Sequence, residues 1–146
     1  MKRFSVLFMA MFLVMFLAAC GQSTKVYELK EDGMVSTVTI KHKDDEITEQ
    51  ISEDVMSYEM LGVSSKEEAE MFFGLMEQGV DSFPGIDFDV KYKKNELIQT
   101  VKIDYKKADL EGMFGLGSML TGEDFGDITS VKEMVQMLKE QGYKEK

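Results

Sequence analysis

The chain of 146 residues has one cysteine, one histidine and one arginine, and each scarcity excludes a class of site. Because Cys20 has no second cysteine to pair with, the chain forms neither a disulfide framework nor a thiolate metal site. His42 must serve any Ser–His–Asp arrangement or histidine-based metal site. Positive charge is also short, with 17 basic against 27 acidic residues and a net charge of −10. A nucleic acid would therefore meet no basic patch, which excludes nucleic-acid binding.

The first 19 residues predict an export signal that is removed. Lys2 and Arg3 precede an uncharged, apolar run over Phe4–Ala19. Its 16 residues would span about 24 Å as a helix, short of the ~30 Å hydrocarbon layer. A basic start followed by such a run is typical of a signal peptide. The segment Leu17-Ala18-Ala19-Cys20-Gly21 resembles the lipobox of bacterial lipoproteins, in which the cysteine is alkylated with diacylglycerol before cleavage. The alternative is a conventional cleavage site near an ordinary buried cysteine.

Acylation of Cys20 predicts a chain anchored to a membrane by its lipid, with palmitate as the typical acyl chain. Two acyl chains hold a protein stably where one does not. Cleavage would remove Lys2 and Arg3 and leave 127 residues with 15 basic and 27 acidic side chains, a net charge of −12. Residues 20–24 then form a short tether, and residues 25–146 form a single domain. A domain of this size buries roughly two-thirds of its unfolded surface.

Hydrophobic periodicity in the remaining chain predicts an α+β fold. Alternation with a period of two predicts strands over residues 26–29, 35–42, 46–55, 87–93 and 96–105. Helices are predicted from Ser65 and from Ser130, each of which opens a capping box. A third helical pattern over 108–120 is weakened by three internal glycines. We therefore expect a single antiparallel sheet of about five strands with two to three helices packed on one face.

A short internal repeat accompanies this pattern. Residues 40–47 align with residues 90–97 at a spacing of 50, with identical lysines and a shared glutamate. Two interpretations remain open: a duplicated hairpin-plus-helix unit, or two hairpins that share the same turn chemistry.

His42 and two acidic clusters are the candidates for chemistry. His42 shares a strand face with Val38 and Ile40, which favours a place at the rim of the core over catalysis. One acidic cluster is Asp81, Asp87 and Asp89, and the second is Glu123, Asp124 and Asp127. Neither has the ligand spacing of an EF-hand, so solvated loops are favoured over calcium sites. The second cluster stays the weak candidate for a metal.

Three further patterns have more ordinary explanations. Gly115-Leu116-Gly117-Ser118 lacks both a leading strand and the lysine of a phosphate-binding loop. The many methionines suggest copper through their soft sulfur, but their helical spacing favours core packing. Residues 113–116 form an apolar stretch that is interpreted as buried against the sheet rather than docked on a partner.

Together these motifs resemble the YehR-type bacterial lipoproteins over nearly all of the mature chain. The resemblance is carried by the lipobox at Cys20, the strands before Tyr58, the helix entry Leu61-Gly62-Val63-Ser64-Ser65-Lys66, Gly79-Val80, Ile103-Asp104-Tyr105 and Gly142-Tyr143. It implies a membrane-anchored lipoprotein with an α+β domain, and it supplies no catalytic or binding residues. The scarcity of arginine and Gly21 after the cysteine suggest a Gram-positive bacterium.

The sequence predicts a non-enzymatic binding or interaction module on the outer face of the cell membrane, with no cofactor and a cell-envelope protein as a possible partner. One alternative is a receptor for a small solute or for a metal ion such as calcium. A hydrolase that uses His42 is the other.

Overall fold

A computed structural model of the protein describes residues 21–80, 83–109 and 128–146. The strands are β1 (Ser23–Glu31), β2 (Met34–Lys43), β3 (Glu46–Ser57), β4 (Ile86–Tyr92), β5 (Glu96–Asp104) and β6 (Lys144–Glu145). The helices are α1 (Tyr58–Leu61), α2 (Lys66–Val80) and α3 (Val131–Glu140). The strands form one antiparallel sheet in the spatial order β4-β5-β3-β2-β1-β6. The predicted α+β class is confirmed, with six strands in place of about five.

The structure differs from the prediction in one strand end and in two short additional elements. β1 begins at Ser23, so the last two residues of the predicted tether belong to the sheet. β6 is too short to show periodicity, yet it pairs with Tyr27 and Glu28 of β1. The single turn of α1 follows β3 directly, and Ser57 caps it by accepting a hydrogen bond from the Met60 amide. The predicted helix over 108–120 falls almost wholly outside the described residues, so its prediction stays open.

A β-bulge at Thr48 decides which side chains of β3 face the helices. Lys41 pairs with Glu49 and His42 pairs with Ile47, so Thr48 has no partner residue on β2. One extra residue shifts the alternation and moves every later side chain to the opposite face. Ile47 therefore lies on the helix-covered face, whereas Ile51 and Val55 lie on the opposite side, here called the open face.

Hydrogen bonds from three directions hold the bulge. The Thr48 hydroxyl donates to the Lys41 carbonyl at 3.0 Å, and the Thr48 backbone carbonyl accepts from the Tyr105 amide at 3.1 Å. The Gln22 side-chain amide, which lies just before β1, donates to the same hydroxyl. The bulge thus ties the start of the domain to β2 and to the end of β5.

Two separate apolar clusters bind the helices to the sheet. Under α3 the cluster includes Tyr27, Val38 and Leu138. Under α2 it includes Phe73, Val90 and Leu97. One cluster therefore covers β1 and β2, and the other covers β4, β5 and the far end of β3.

Both long helices begin as the capping boxes predict. The Glu68 amide donates to the Ser65 hydroxyl, and the Glu133 amide donates to the Ser130 hydroxyl. Asp45 in the β2–β3 turn adds a second cap to α3, because its carboxylate accepts from the Ser130 hydroxyl at 2.7 Å and from the Lys132 amide at 3.0 Å. Among the described residues, no helix has the length and apolarity needed to cross a bilayer.

The bulge gives a prediction about stability. Thr48→Val keeps the shape of the side chain but removes the hydroxyl that bonds Lys41 and Gln22. We expect the free energy of unfolding in urea to fall by about 1–2 kcal/mol, since each hydrogen bond contributes about 0.5–1.5 kcal/mol. Thr39→Val on the open face of β2 is the matched control and should change stability by less than about 0.5 kcal/mol. Equal effects of the two substitutions would contradict a structural role for the bulge.

Candidate functional site

The bulge leaves the centre of the helix-covered face polar. Gln50, Ser52 and Asp54 of β3 point to this face, and we call them the β3 polar row. Neither apolar cluster includes any of the three. Within the described chain, α2 and α3 therefore flank the middle of β3, and their clusters leave the polar row between them.

Asp54 lies in a line of side chains that crosses the sheet. Its direct cross-strand partner on β2 is Ser36, and its partner on β5 is Gln99. Residues in direct register on one face have neighbouring side chains. A hydroxyl, a carboxyl and an amide are thereby brought together from three adjacent strands.

Tyr143 reaches the same place from the end of α3. Gly142 has a φ of +93°, a left-handed conformation that favours glycine, as the sequence predicts for the end of this helix. The Gly142 amide donates to the Lys139 carbonyl and the Tyr143 amide donates to the Leu138 carbonyl, which together form a Schellman motif. This turn directs the chain back over the sheet, where the Tyr143 hydroxyl lies 2.8 Å from the Ser36 hydroxyl.

The hydroxyls of Tyr143 and Ser36 and the carboxyl of Asp54 form a chain. Ser36 is only 3% exposed, and it lies beside Asp54 in direct register, where its side chain lowers the pKa of that carboxyl. The Ser36 and Tyr143 hydroxyls share one hydrogen bond, in which either can be the donor. Buried polar groups need such partners because an unpaired one is costly.

A groove of about 390 Å³ opens over this chain. Its lining comprises Met34, Ser36, Asp54, Met56, Phe72, Phe73, Gln99 and Tyr143. The rings of Phe72 and Phe73 meet edge to face, with their centroids 5.2 Å apart and their planes at 79°. Phe72 is 59% exposed. The groove thus combines thioether and aromatic walls with a polar floor.

Among the described residues that line the groove, Asp54 alone is charged. Burial raises its pKa above the usual 3.8, while the Ser36 hydrogen bond lowers it and the nearby charge of Glu53 raises it. No basic side chain pairs with it among the described residues. Residues 81–82 and 110–127, which the structure does not describe, contain no lysine or arginine.

Carboxylates on the open face are in a different situation. Glu49 lies 2.6 Å from the Lys41 ammonium and 3.3 Å from that of Lys102. Burial alone would raise the pKa of Glu49, but these two lysines bring it below its usual value. Glu28 is likewise paired with Lys30 and Lys146. Asp54 differs from both carboxylates, because no lysine of the described chain pairs with it.

A second tyrosine marks the other end of the β3 polar row. The Tyr105 hydroxyl donates to the Gln50 side-chain carbonyl at 2.9 Å, and the Gln50 amide nitrogen lies 3.3 Å from the Ser52 hydroxyl. Burial raises the pKa of Tyr105 to about 12, so its hydroxyl stays protonated at neutral pH. Gln50 and Ser52 therefore satisfy one another locally, whereas Asp54 faces the groove.

His42 lies at the end of β2, and the geometry there gives no support to a hydrolase. Its Nδ1 atom lies 2.7 Å from the Asp44 carbonyl oxygen, which fixes the ring against its own turn. Its Nε2 atom has no hydrogen-bond partner within the described chain. A nucleophile–base pair needs a hydroxyl or thiol at that nitrogen.

Only two members of the predicted acidic clusters lie in the described chain, so the clusters stay predictions. Asp87 and Asp89 project from the exposed side of the edge strand β4. Asp81, Glu123, Asp124 and Asp127 lie outside the described residues. Residues 21–80, 83–109 and 128–146 contain no group of three or more carboxylate, histidine or cysteine side chains placed to hold a metal ion.

Sequence reasoning missed Ser36, Asp54, Gln99 and Tyr143. The available signal was the spacing of Ile47, Ile51 and Val55, which are four residues apart. In an unbroken alternation, Glu49 and Glu53 would share one face with these three apolar residues, which is unusual for a strand in the middle of a sheet.

Comparison with known proteins gives a family match over most of the chain. The profile of a family described as "Protein of unknown function (DUF1307)" matches residues 23–144. The "Uncharacterized lipoprotein Lmo0207" of Listeria monocytogenes is 36% identical over 150 residues, covering 99% of this chain and 96% of its own. The "Uncharacterized lipoprotein YehR" of Escherichia coli is 26% identical over 151 residues, covering 99% of both chains.

Two solved structures have the same fold. The NMR structure of E. coli YehR aligns with a TM-score of 0.72 at 22% identity, covering 85% of this chain and 90% of that one. An NMR structure of a protein from Streptococcus pneumoniae aligns with a TM-score of 0.63 at 17% identity, covering 88% and 87%. At these identities the likeness concerns the fold alone.

The raised pKa of Asp54 predicts that its charge destabilises the fold. Between pH 3.8 and the raised pKa the folded chain binds more protons than the unfolded chain, so stability falls as the pH rises through this window. Asp54→Asn removes the charge and still accepts from Ser36. We expect this variant to unfold at a higher urea concentration than the wild type at pH 7, and at the same concentration near the acid end, about pH 3.

Glu53→Gln is the matched control for Asp54→Asn, because it removes the neighbouring charge on the open face. It should shift the urea midpoint at pH 7 by less than Asp54→Asn does. Loss of stability in Asp54→Asn at pH 7 would contradict the prediction that the charge of Asp54 destabilises the fold.

Proposed function

Because this chain belongs to the DUF1307 family, whose relatives are lipoproteins, we propose that it is a lipid-anchored binding module that takes a small solute into the groove of Asp54. The membership confirms the resemblance to YehR-type lipoproteins. The observation that carries the binding proposal is the groove itself, where an unpaired carboxylate meets hydroxyl, amide, aromatic and thioether groups. The module is proposed to be non-enzymatic, since the names of its relatives state no activity.

The proposed anchor is Cys20, acylated after removal of residues 1–19. Only Gly21 and Gln22 separate it from β1, and Gln22 is bonded to Thr48. The end of the sheet that carries the start of β1 and the β2–β3 turn would then lie next to the lipid headgroups. We place the protein on the outer face of the cytoplasmic membrane, in a Gram-positive cell on the evidence of its scarce arginine and Gly21.

This anchor would hold the groove away from the membrane. Ser36 pairs with Leu29, six residues along β1 from Ser23. Strands rise about 3.3 Å per residue, which puts the line through Asp54 some 20 Å above the start of β1. A solute outside the cell would reach the groove without contact with the bilayer.

The size of the groove favours a small solute over a protein partner. Its volume of about 390 Å³ lies within the ~300–1,000 Å³ typical of small-molecule sites. The groove provides one carboxylate, whereas calcium takes about six to eight oxygen ligands, so it gives no support to a calcium receptor. Glu123, Asp124 and Asp127 stay an untested candidate for that ion, and a cell-envelope protein stays an untested partner.

The anchor gives a direct prediction. Mass spectrometry of the protein extracted from membranes should find a chain that starts at Cys20 with diacylglycerol on its sulfur. In Cys20→Ser the acyl group should be absent and residues 1–19 should be retained, because cleavage follows alkylation. Ser23→Ala, three residues on, should be processed like the wild type. A wild-type chain with a free Cys20 thiol would contradict the proposal.

A second prediction tests the groove as a binding site. Residues 20–146 are expressed without the leader, with Cys20→Ser and with labelled methionine methyl groups. This chain is titrated with butylammonium, butanol and butyrate. At least one of these compounds should shift the Met34 and Met56 signals in a saturable way and leave Met137 unmoved. Ser36→Phe should abolish the shift by filling the groove, and Thr37→Phe on the open face should not. No saturable shift with any compound would contradict the proposed function.

A further inference from the structure

We propose that the groove binds an organic cation, an alkylammonium group on a short apolar chain, with Asp54 as its counter-ion. This inference rests on the proposed function, because it names the class of solute for the same groove.

The charge of the lining is the first argument. Among the described residues, the lining of the groove has one carboxylate and no basic group, and residues 81–82 and 110–127 contain neither lysine nor arginine. A buried charge without a partner is expensive for a fold. The open-face carboxylates Glu28 and Glu49 are each paired with two lysines. Asp54 therefore keeps an unmet need for positive charge, and a bound cation would meet it.

The polar atoms around Asp54 match an ammonium group. A primary ammonium has three N–H donors and no acceptor. The groove offers acceptors in the Asp54 carboxylate, the Gln99 side-chain carbonyl and the hydroxyl oxygens of Ser36 and Tyr143. Charge-assisted hydrogen bonds to a carboxylate are about twice as strong as neutral ones.

The walls match the carbon chain of such a cation. Met34 and Met56 face each other across β2 and β3, and Phe72 and Phe73 stand on α2. Aromatic faces attract cations as well as apolar groups, with about 0.5–2 kcal/mol for a cation over a ring. Flexible methionines adapt to aliphatic chains. An anion would instead meet the negative charge of Asp54, with Glu53 and Glu31 close by.

An alkylammonium group has two sources outside the cell, a free amine and the lysine side chain of a peptide. Butylammonium reproduces the first and also the chemistry of the lysine side chain. Nα-acetyl-lysine methylamide, whose side-chain ammonium is free, adds the peptide backbone. Tighter binding of the second compound would assign the source to a peptide, and tighter binding of butylammonium would assign it to a free amine; both results support the ammonium class.

The test compares charges at constant chain length. In the methyl titration of the mature Cys20→Ser chain, butylammonium should bind about tenfold or more tightly than butanol, a difference of about 1.4 kcal/mol, and butyrate should bind most weakly. Groove binding of butanol or butyrate without preference for the cation would overturn this inference while the proposed function stands. Failure of all three compounds would overturn both.

Two variants and a pH series assign the preference to Asp54. Asp54→Asn should weaken butylammonium about tenfold and leave butanol unchanged, whereas Glu53→Gln should change neither by more than about twofold. For the wild type, the affinity for butylammonium should fall as the pH is lowered through the pKa of Asp54, because a protonated carboxyl loses its attraction for the cation. In the part of the chain that the structure describes, the other titratable groups near this carboxyl are Glu31, Glu53 and Tyr143. Equal binding by Asp54→Asn and the wild type would overturn the inference.

Discussion

The bulge at Thr48 is the constraint on which the arrangement of this domain depends. Without it, the alternation that buries Ile47 would turn Glu49 and Glu53 toward the helices together with Ile51 and Val55, and it would turn Asp54 away from them. With one extra residue, these four side chains lie on the open face and Gln50, Ser52 and Asp54 turn toward the helices. A side-chain period of two makes this an all-or-none change. The bulge is held by Gln22, Lys41 and Tyr105, so it is a fixed feature of the sheet.

A polar central strand divides the core in two. The apolar contacts between the helices and the sheet are grouped in the cluster under α3 and the cluster under α2. The domain thereby gives up burial at the centre of its sheet, where burial is most effective. Sites that place unpaired polar groups in a sheltered position commonly reduce stability in exchange for binding. The raised pKa of Asp54 agrees with such a cost, since its largest cause is the burial of the carboxyl, and no basic side chain of the described chain pairs with it.

Most of the fold follows from local signals in the sequence. Alternation located the five longer strands, and the serines at 65 and 130 located the starts of both long helices, because a cap depends on residues only three apart. The site does not follow in this way. Asp54 meets Ser36, Gln99 and Tyr143 through register and through the turn at Gly142, and register depends on a bulge that composition does not reveal. Ser23 and Thr24, the last two residues of the predicted tether, join the sheet for a related reason: they have little strand pattern of their own, and pairing with His42 and Lys41 places them there.

The net negative charge of the chain bears on which solutes would approach the groove. The net charge of −10, or −12 after the proposed cleavage, gives no support to nucleic-acid binding, and such a charge repels an anionic membrane surface and attracts cations. At physiological ionic strength, salt screens such fields within about 8 Å. The overall charge therefore acts mainly on the rate at which a cation meets the protein. Selection between a cation and a neutral molecule must occur where water is partly excluded, which in the described chain is the line through Ser36, Asp54 and Gln99. If Cys20 carries the proposed anchor, the groove lies near the far end of the sheet from the lipid, because Ser36 pairs with Leu29, six residues along β1 from Ser23.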